Sequence, residues 1–131
     1  MRVLVCGAGG CIGSAVVHAL RSRGHRVIEG ARSVPQSPDS AVAMHVDFMQ
    51  PRAPAAWAET LAAYNVEAVV NCVGILMESR HQSFARVHTA GPIELFRGAA
   101  IAGVRRIVQI SALGVGDDPQ SLATPYCTAN C

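Results

Sequence analysis

The chain has no lysine: all 11 of its basic residues are arginine. Charge of either sign is scarce, at 15% of residues against 50% hydrophobic, and mean hydropathy is positive. So apolar a composition excludes a disordered, self-repelling tail. A formal net charge of +2 without any block of like sign gives no nucleic-acid surface. The nearest candidate, Arg105-Arg106, reads as the solvated start of a strand. No apolar run approaches the roughly 18 residues of a membrane span. The N-terminal "MRVLVCGAGG" imitates a signal peptide only weakly, because its glycine spacing is wrong for one. There are no internal repeats and no linker between domains.

Cysteine pairing is also missing. The five cysteines are odd in number and none forms a C-x-x-C. Cys6, Cys11 and Cys72 fall in or beside apolar strands and a glycine loop, where a thiol serves as a small hydrophobe. A reducing cytoplasm is the expected compartment. Cys127 and Cys131 are spaced for one helical face, but no His or carboxylate stands near them, so no metal site is expected.

What the sequence does have is alternation. "RVLVC" (Arg2–Cys6) is an apolar, β-branched run bounded by glycine, the pattern of a central strand. Ile12 to Arg23 carries apolar residues at helical spacing and is stopped by Gly24. Further strands are expected over His25–Arg32, Ala41–Phe48, Glu67–Gly74 and Arg105–Ser111. A helix is expected over Pro54–Tyr64. A long helical stretch over His81–Ala102 should be interrupted or bent near Gly91-Pro92, since proline disfavours helix in the residue before it. "SVPQSPDS" (33–40) should link the second and third strands as an irregular crossover. The order β-α-β-β-α-β-α-β predicts an α/β fold, a doubly wound parallel sheet of about five strands, over one domain spanning 1–131.

"GAGGCIG" directly follows the first strand and opens the first helix. Gly7, Gly10 and Gly13 form G-x-x-G-x-x-G, with Gly9 as an extra glycine. In that context glycine allows a tight turn and close approach of backbone to a pyrophosphate, while the helix N-terminus offers free N–H groups to the negative charge. The expected ligand is a dinucleotide, held by Gly7, Gly10, Cys11, Ile12 and Gly13. An acidic residue about 20 positions past the loop would bind the ribose hydroxyls of NAD. Ala31 stands there instead and Arg32 follows, which favours the 2′-phosphate of NADP, with NAD as the alternative. Glu29 shares a strand face with Ala31 but lies two residues too early.

From "VLVCGAGGCIG" through "VDF", "VVNCVGIL" and "GVRRIVQISALG" to Tyr126, the chain resembles the N-terminal part of an atypical or extended short-chain dehydrogenase/reductase. Within the epimerase/dehydratase superfamily it is similar to the branch of NmrA-like proteins and the nucleotide-binding accessory subunit of respiratory complex I. The resemblance implies a Rossmann domain. It implies that Asp47, followed by Phe48, contacts the adenine and that Cys72, Val73 and Gly74 pass the adenosine ribose. It also implies that Ser111, ending the fifth strand, is a catalytic or substrate-binding hydroxyl. Many extended members carry an Asn where His88 aligns; a lone His in an apolar helix is read as structural.

Family enzymes place Tyr-x-x-x-Lys after the fifth strand, with tyrosine as acid/base and lysine lowering its pKa. Tyr126 matches the tyrosine, but the lysine position is Asn130, and no other lysine exists to replace it. Two expectations follow. Either the chain is a non-catalytic, cofactor-binding member, or a lost base has shifted the frame. Read from the last base of the Tyr126 codon, the tail is compatible with Tyr-Leu-His-Ser-Lys-Leu, which restores Tyr-x-x-Ser-Lys.

In both cases the domain is expected to be truncated after strand five, without the C-terminal substrate-binding part, and inactive alone. The leading expectation is an oxidoreductase's NADP-binding domain. The alternative is a nucleotide-binding regulatory or assembly module. Strand five would be an exposed apolar edge open to self-pairing, so a homo-oligomer is possible.

Overall fold

The computed structural model describes residues 1–33, 43–75, 79–80 and 82–111. Five strands form one parallel sheet in the order β3-β2-β1-β4-β5, with β1 Arg2–Cys6, β2 Arg26–Ala31, β3 Ala43–His45, β4 Ala68–Asn71 and β5 Arg106–Gln109. The helices are α1 (Cys11–Ser22), α2 (Pro54–Ala63) and α3 (Gly91–Ile101), the last preceded by a π-helical segment over Ala85–Ala90. This is the doubly wound α/β sheet expected from the alternation of elements.

β1 shows why Val3 to Cys6 are all apolar. Val3 and Val5 pack with Val17 of α1 on one face, while Leu4 and Cys6 join Trp57, Leu61 and Leu95 from α2 and α3 on the other. A strand covered on both faces has no place for a polar side chain. The two helices on the second face meet closely at Gly98, where an added Cβ would lie 2.4 Å from Cβ of Trp57. The turn out of α2 uses Asn65 at φ 54°, a left-handed position that asparagine tolerates.

β1 spans the expected Arg2–Cys6, whereas β2 to β5 stop earlier than their sequence patterns. β3 was expected to run to Phe48, but Asp47 takes the chain out of the sheet. Its Oδ1 accepts the Met49 N–H at 3.0 Å, and its carbonyl accepts Gln50 N–H at 3.1 Å. An aspartate side chain here offers the backbone a local partner in place of the ladder. Asn71 does the same for β4: its Oδ1 accepts Val73 N–H at 3.2 Å, so Cys72 to Gly74 form a loop and not a strand. β5 ends at Gln109, which places Ser111 two residues beyond the ladder and exposed. Arg32 likewise lies one residue past β2.

The irregularity expected near Gly91-Pro92 takes the form of π turns just before that pair. Ala90 and Gly91 both hold right-handed helical dihedrals, and Pro92 sits in the first turn of α3. The irregularity lies upstream, as π turns over Ala85–Ala90. Pro92 has no N–H to give and its ring crowds the carbonyl four residues back, and a wider turn before it relieves both demands. Gly91 also has no Cβ to clash with the proline ring. "SVPQSPDS" lies outside the described residues apart from Ser33.

Candidate functional site: a glycine cradle between two clefts

The turn from β1 to α1 is held against the sheet at several points. Gly7 N–H and Ala8 N–H both donate to the Gly30 carbonyl, at 2.9 and 3.2 Å, and Gly10 N–H closes the turn onto the Gly7 carbonyl at 3.1 Å. Gly7 has φ 76°, and its α-carbon faces the backbone of Cys72 and Val73 so closely that a Cβ would lie 3.0 Å away. Gly13 is tighter still: a Cβ there would be 1.9 Å from the Gly7 carbonyl oxygen. Both positions therefore require glycine, one for its dihedral and one for space.

Gly9 and Gly10 are different. A Cβ at Gly9 would meet nothing within 4 Å, and one at Gly10 only the Gly7 carbonyl oxygen at 3.5 Å. Their bare backbone faces open space, which is what a ligand lying on this turn needs. α1 has no side-chain cap and no acidic residue in its first turn. Its first hydrogen bond within the helix runs from Ser14 N–H to the Gly10 carbonyl, so the amides of Cys11, Ile12 and Gly13 have no helical acceptor. They converge with the positive end of the helix dipole and make an anion cradle.

Two clefts open from this cradle at the carboxyl ends of the strands. The first, about 460 Å³, runs toward β2 and β3 and is bounded by Gly7, Gly9, Gly10, Ala31, Arg32, Ser33, Asp47 and Phe48. The second, about 370 Å³, runs toward β5 and is bounded by Gly10, Cys11, Ile12, Gly13, His88, Ile110 and Ser111. Cys72, Val73, Gly74 and Ile75 form the partition that both clefts share. The connection reverses direction between β1 and β4, and such a switch point is where open α/β sheets bind ligands.

Most of the residues singled out from sequence thus line one or other of these two clefts. Glu29 lines neither; its carboxylate is paired with the Arg21 guanidinium at 3.1 Å on the α1 side of β2. Arg32 is exposed at the mouth of the first cleft. Cys11 is exposed, contrary to its expected role as a small hydrophobe, because it occupies the helix N-terminus and not the sheet. Cys6 is fully buried, and desolvation followed by the influence of Cys72 pushes its thiol far above the usual range. Burial also raises the Cys72 thiol. Tyr126, Asn130, Cys127 and Cys131 lie outside the described residues.

His88 is buried, with Nε2 3.0 Å from the Ile75 amide nitrogen and 2.9 Å from its carbonyl oxygen. Its ring fixes the partition loop and also lines the second cleft. Ser33, Gln82 and Val87 also line the first cleft and were not foreseen. Ser33 had a signal in its position beside Arg32. Gln82 had none, since it reaches the cleft from a segment about 50 residues away in the chain.

An open parallel sheet with an uncapped glycine cradle at its switch point is a dinucleotide-binding Rossmann domain. The profile of the NAD dependent epimerase/dehydratase family matches residues 3–130, and the chain belongs to that family. The dinucleotide is accordingly a nicotinamide one.

A 3-diazoavenalumate denitrifying reductase from Streptomyces sp is 34% identical over 114 residues, covering 82% of this chain and 36% of that protein. Two solved structures share the fold. UDP-glucose-4-epimerase from Stenotrophomonas maltophila, with bound NAD and formylated UDP-arabinopyranose, aligns at TM-score 0.73 and 21% identity, over 99% of this chain and 45% of that one. Uronate dehydrogenase from Agrobacterium tumefaciens aligns at TM-score 0.70 and 22% identity, over 99% and 52%. The chain therefore spans about a third to a half of the length of these relatives. Among the described residues, no helix is long and apolar enough to cross a membrane.

Proposed function

We propose that this chain is the NADP(H)-binding portion of an oxidoreductase and that it does not turn over substrate alone. The observation that carries the reading is the uncapped N-terminus of α1, set between two clefts, one of which ends at Arg32. The amides of Cys11, Ile12 and Gly13 would hold the pyrophosphate. Asp47 and Phe48 would flank the adenine, and Cys72, Val73 and Gly74 the adenosine ribose. Arg32 would pair with the 2′-phosphate, unopposed because the nearest strand carboxylate, Glu29, is held by Arg21. When bound, the cofactor supplies or accepts a hydride in the second cleft, which Ser111 borders.

In that cleft Ser111 would hold a substrate oxygen, and Tyr126 would be the acid/base. A phenol needs a neighbouring cation to ionise near neutral pH, and Asn130 supplies none. That is the reason for the expected inactivity. The named activity of the Streptomyces relative, a reductase, favours reduction as the reaction of the parent protein. If Asn130 is native, the same cradle would serve a regulatory or assembly module that reports on cofactor state. The unpaired Cys6, Cys11 and Cys72 fit a reducing, cytoplasmic setting.

Titration with NADPH and NADH, read by cofactor fluorescence, tests the proposal. NADPH should bind more tightly, and Arg32→Ala should weaken NADPH by roughly tenfold while leaving NADH unchanged. Failure to bind either cofactor would overturn the functional reading. Tighter binding of NADH would overturn the role of Arg32 alone.

A further inference from the structure

The wall of the first cleft formed by Asp47 and Phe48 is not regular structure, yet the segment that continues it, Phe48 to Arg52, is held at both ends by one ion pair from another part of the chain. Arg86, in the π-helical segment, donates from Nε to the Phe48 carbonyl at 3.0 Å. Its two terminal nitrogens each lie 3.0 Å from a carboxylate oxygen of Glu94 in α3, a bidentate arrangement. Glu94 Oε2 also accepts the backbone N–H of Arg52 at 3.1 Å. The segment from Phe48 to Arg52 is thereby fastened at its first carbonyl and its last amide to the same pair of side chains.

Surrounding contacts reinforce the arrangement. Ser83 N–H lies 3.4 Å from the Met49 sulfur, and Ser83 Oγ accepts the Arg86 N–H at 3.2 Å. Gly91 lets α3 pass directly under the Phe48 ring, where a Cβ would come within 2.4 Å of the Phe48 Cβ. The π turns bear on the geometry of the pair. Residues eight apart on a regular α-helix are about 80° out of alignment, at 3.6 residues per turn. Wider turns wind less per residue and bring Arg86 round toward the face that carries Glu94.

We infer that the Arg86–Glu94 pair is a positioning device for the adenine end of the cleft, acting through the Phe48 carbonyl and the Arg52 amide. The inference rests on the nucleotide reading of the cleft given above. Neither side chain needs to touch the ligand. The pair sets where Asp47 and Phe48 stand, and so sets affinity for the adenine half of a dinucleotide without altering the cradle or the second cleft.

The test separates the two halves of the ligand. The 131-residue chain and its Arg86→Gln, Arg86→Lys and Glu94→Gln variants are titrated with ADP-ribose and, separately, with nicotinamide mononucleotide. Arg86→Gln should weaken ADP-ribose by roughly tenfold and Glu94→Gln by roughly threefold or more, with nicotinamide mononucleotide unchanged. Arg86→Lys should fail to rescue, because an ammonium keeps the charge but cannot span both carboxylate oxygens and the Phe48 carbonyl.

Faster amide exchange at Met49 and Gln50 should accompany the loss, and remains measurable in any variant too weak to titrate. Undiminished ADP-ribose affinity in the variants would overturn the inference. So would equal weakening of both ligands, which marks a general loss of fold. Absence of ADP-ribose binding by the unaltered chain would instead overturn the nucleotide reading beneath it.

Discussion

At the residue scale, the four glycines of the cradle are not equivalent, although they look alike in sequence. Gly13 is needed for the fold, since its missing side chain makes room for the Gly7 carbonyl. Gly9 has no steric role in the chain itself. Gly13→Ala should therefore lower the melting temperature, with a cost of about 2 kcal/mol or more from forced overpacking, and abolish dinucleotide binding with it. Gly9→Ala should leave the melt nearly unchanged and still weaken binding, because its methyl enters the first cleft. Thermal unfolding beside cofactor titration measures both, and a destabilised Gly9→Ala would refute the distinction. The G-x-x-G-x-x-G spacing pointed to the cradle, but only the packing separates the glycine that the chain needs from the one a ligand needs.

At the scale of elements, each strand and helix was legible in its apolar period, as were the ends of β1, but the ends of β2 to β5 were not. Asp47 and Asn71 end β3 and β4 by accepting N–H groups two residues ahead of themselves, a competition that apolar patterning does not register. The π turns before Pro92 were visible only as an irregularity near Gly91-Pro92, without their form. Their consequence is the Arg86–Glu94 pair, and that pair makes a prediction in acid. The hydrogen bonds from Arg86 hold the Glu94 carboxyl below the usual range, partly opposed by desolvation. With a folded-state pKa below the unfolded value, its contribution to stability is complete above about pH 4.3, the ordinary glutamate value. It is lost as pH falls through the depressed folded value. Glu94→Gln should thus flatten the acid limb of stability, seen by denaturant melts between neutral pH and about pH 3. An unchanged limb would mean that the pair contributes nothing.

At the scale of the whole molecule, the sheet is unevenly covered. β1 is buried on both faces, whereas all four residues of β5 are exposed, with Ile107 at 40% and Val108 at 47%. Adjacent strand residues point to opposite faces, so β5 presents apolar side chains on both, and among the described residues no further strand pairs with its outer edge. We expect the 131-residue chain to self-associate through this edge. Its melting temperature should rise with protein concentration, and Ile107→Lys with Val108→Lys should reduce association in sedimentation velocity. A monomer with a cooperative, concentration-independent melt would refute this.

Sequence alone determined the α/β class, the order of elements and the place of the dinucleotide cradle. Those features depend on local period and on glycines at a strand-to-helix turn, and both are written in adjacent residues. Family membership was legible for the same reason, through "GAGGCIG", "VDF" and "VVNCVG" at their proper intervals. Tertiary structure alone decided that Glu29 is paired away on Arg21, that His88 braces the partition loop, and that Gln82 and Arg86 serve a wall made by residues near 47. Those contacts join segments 8 to 38 residues apart through side chains whose partners no local pattern names.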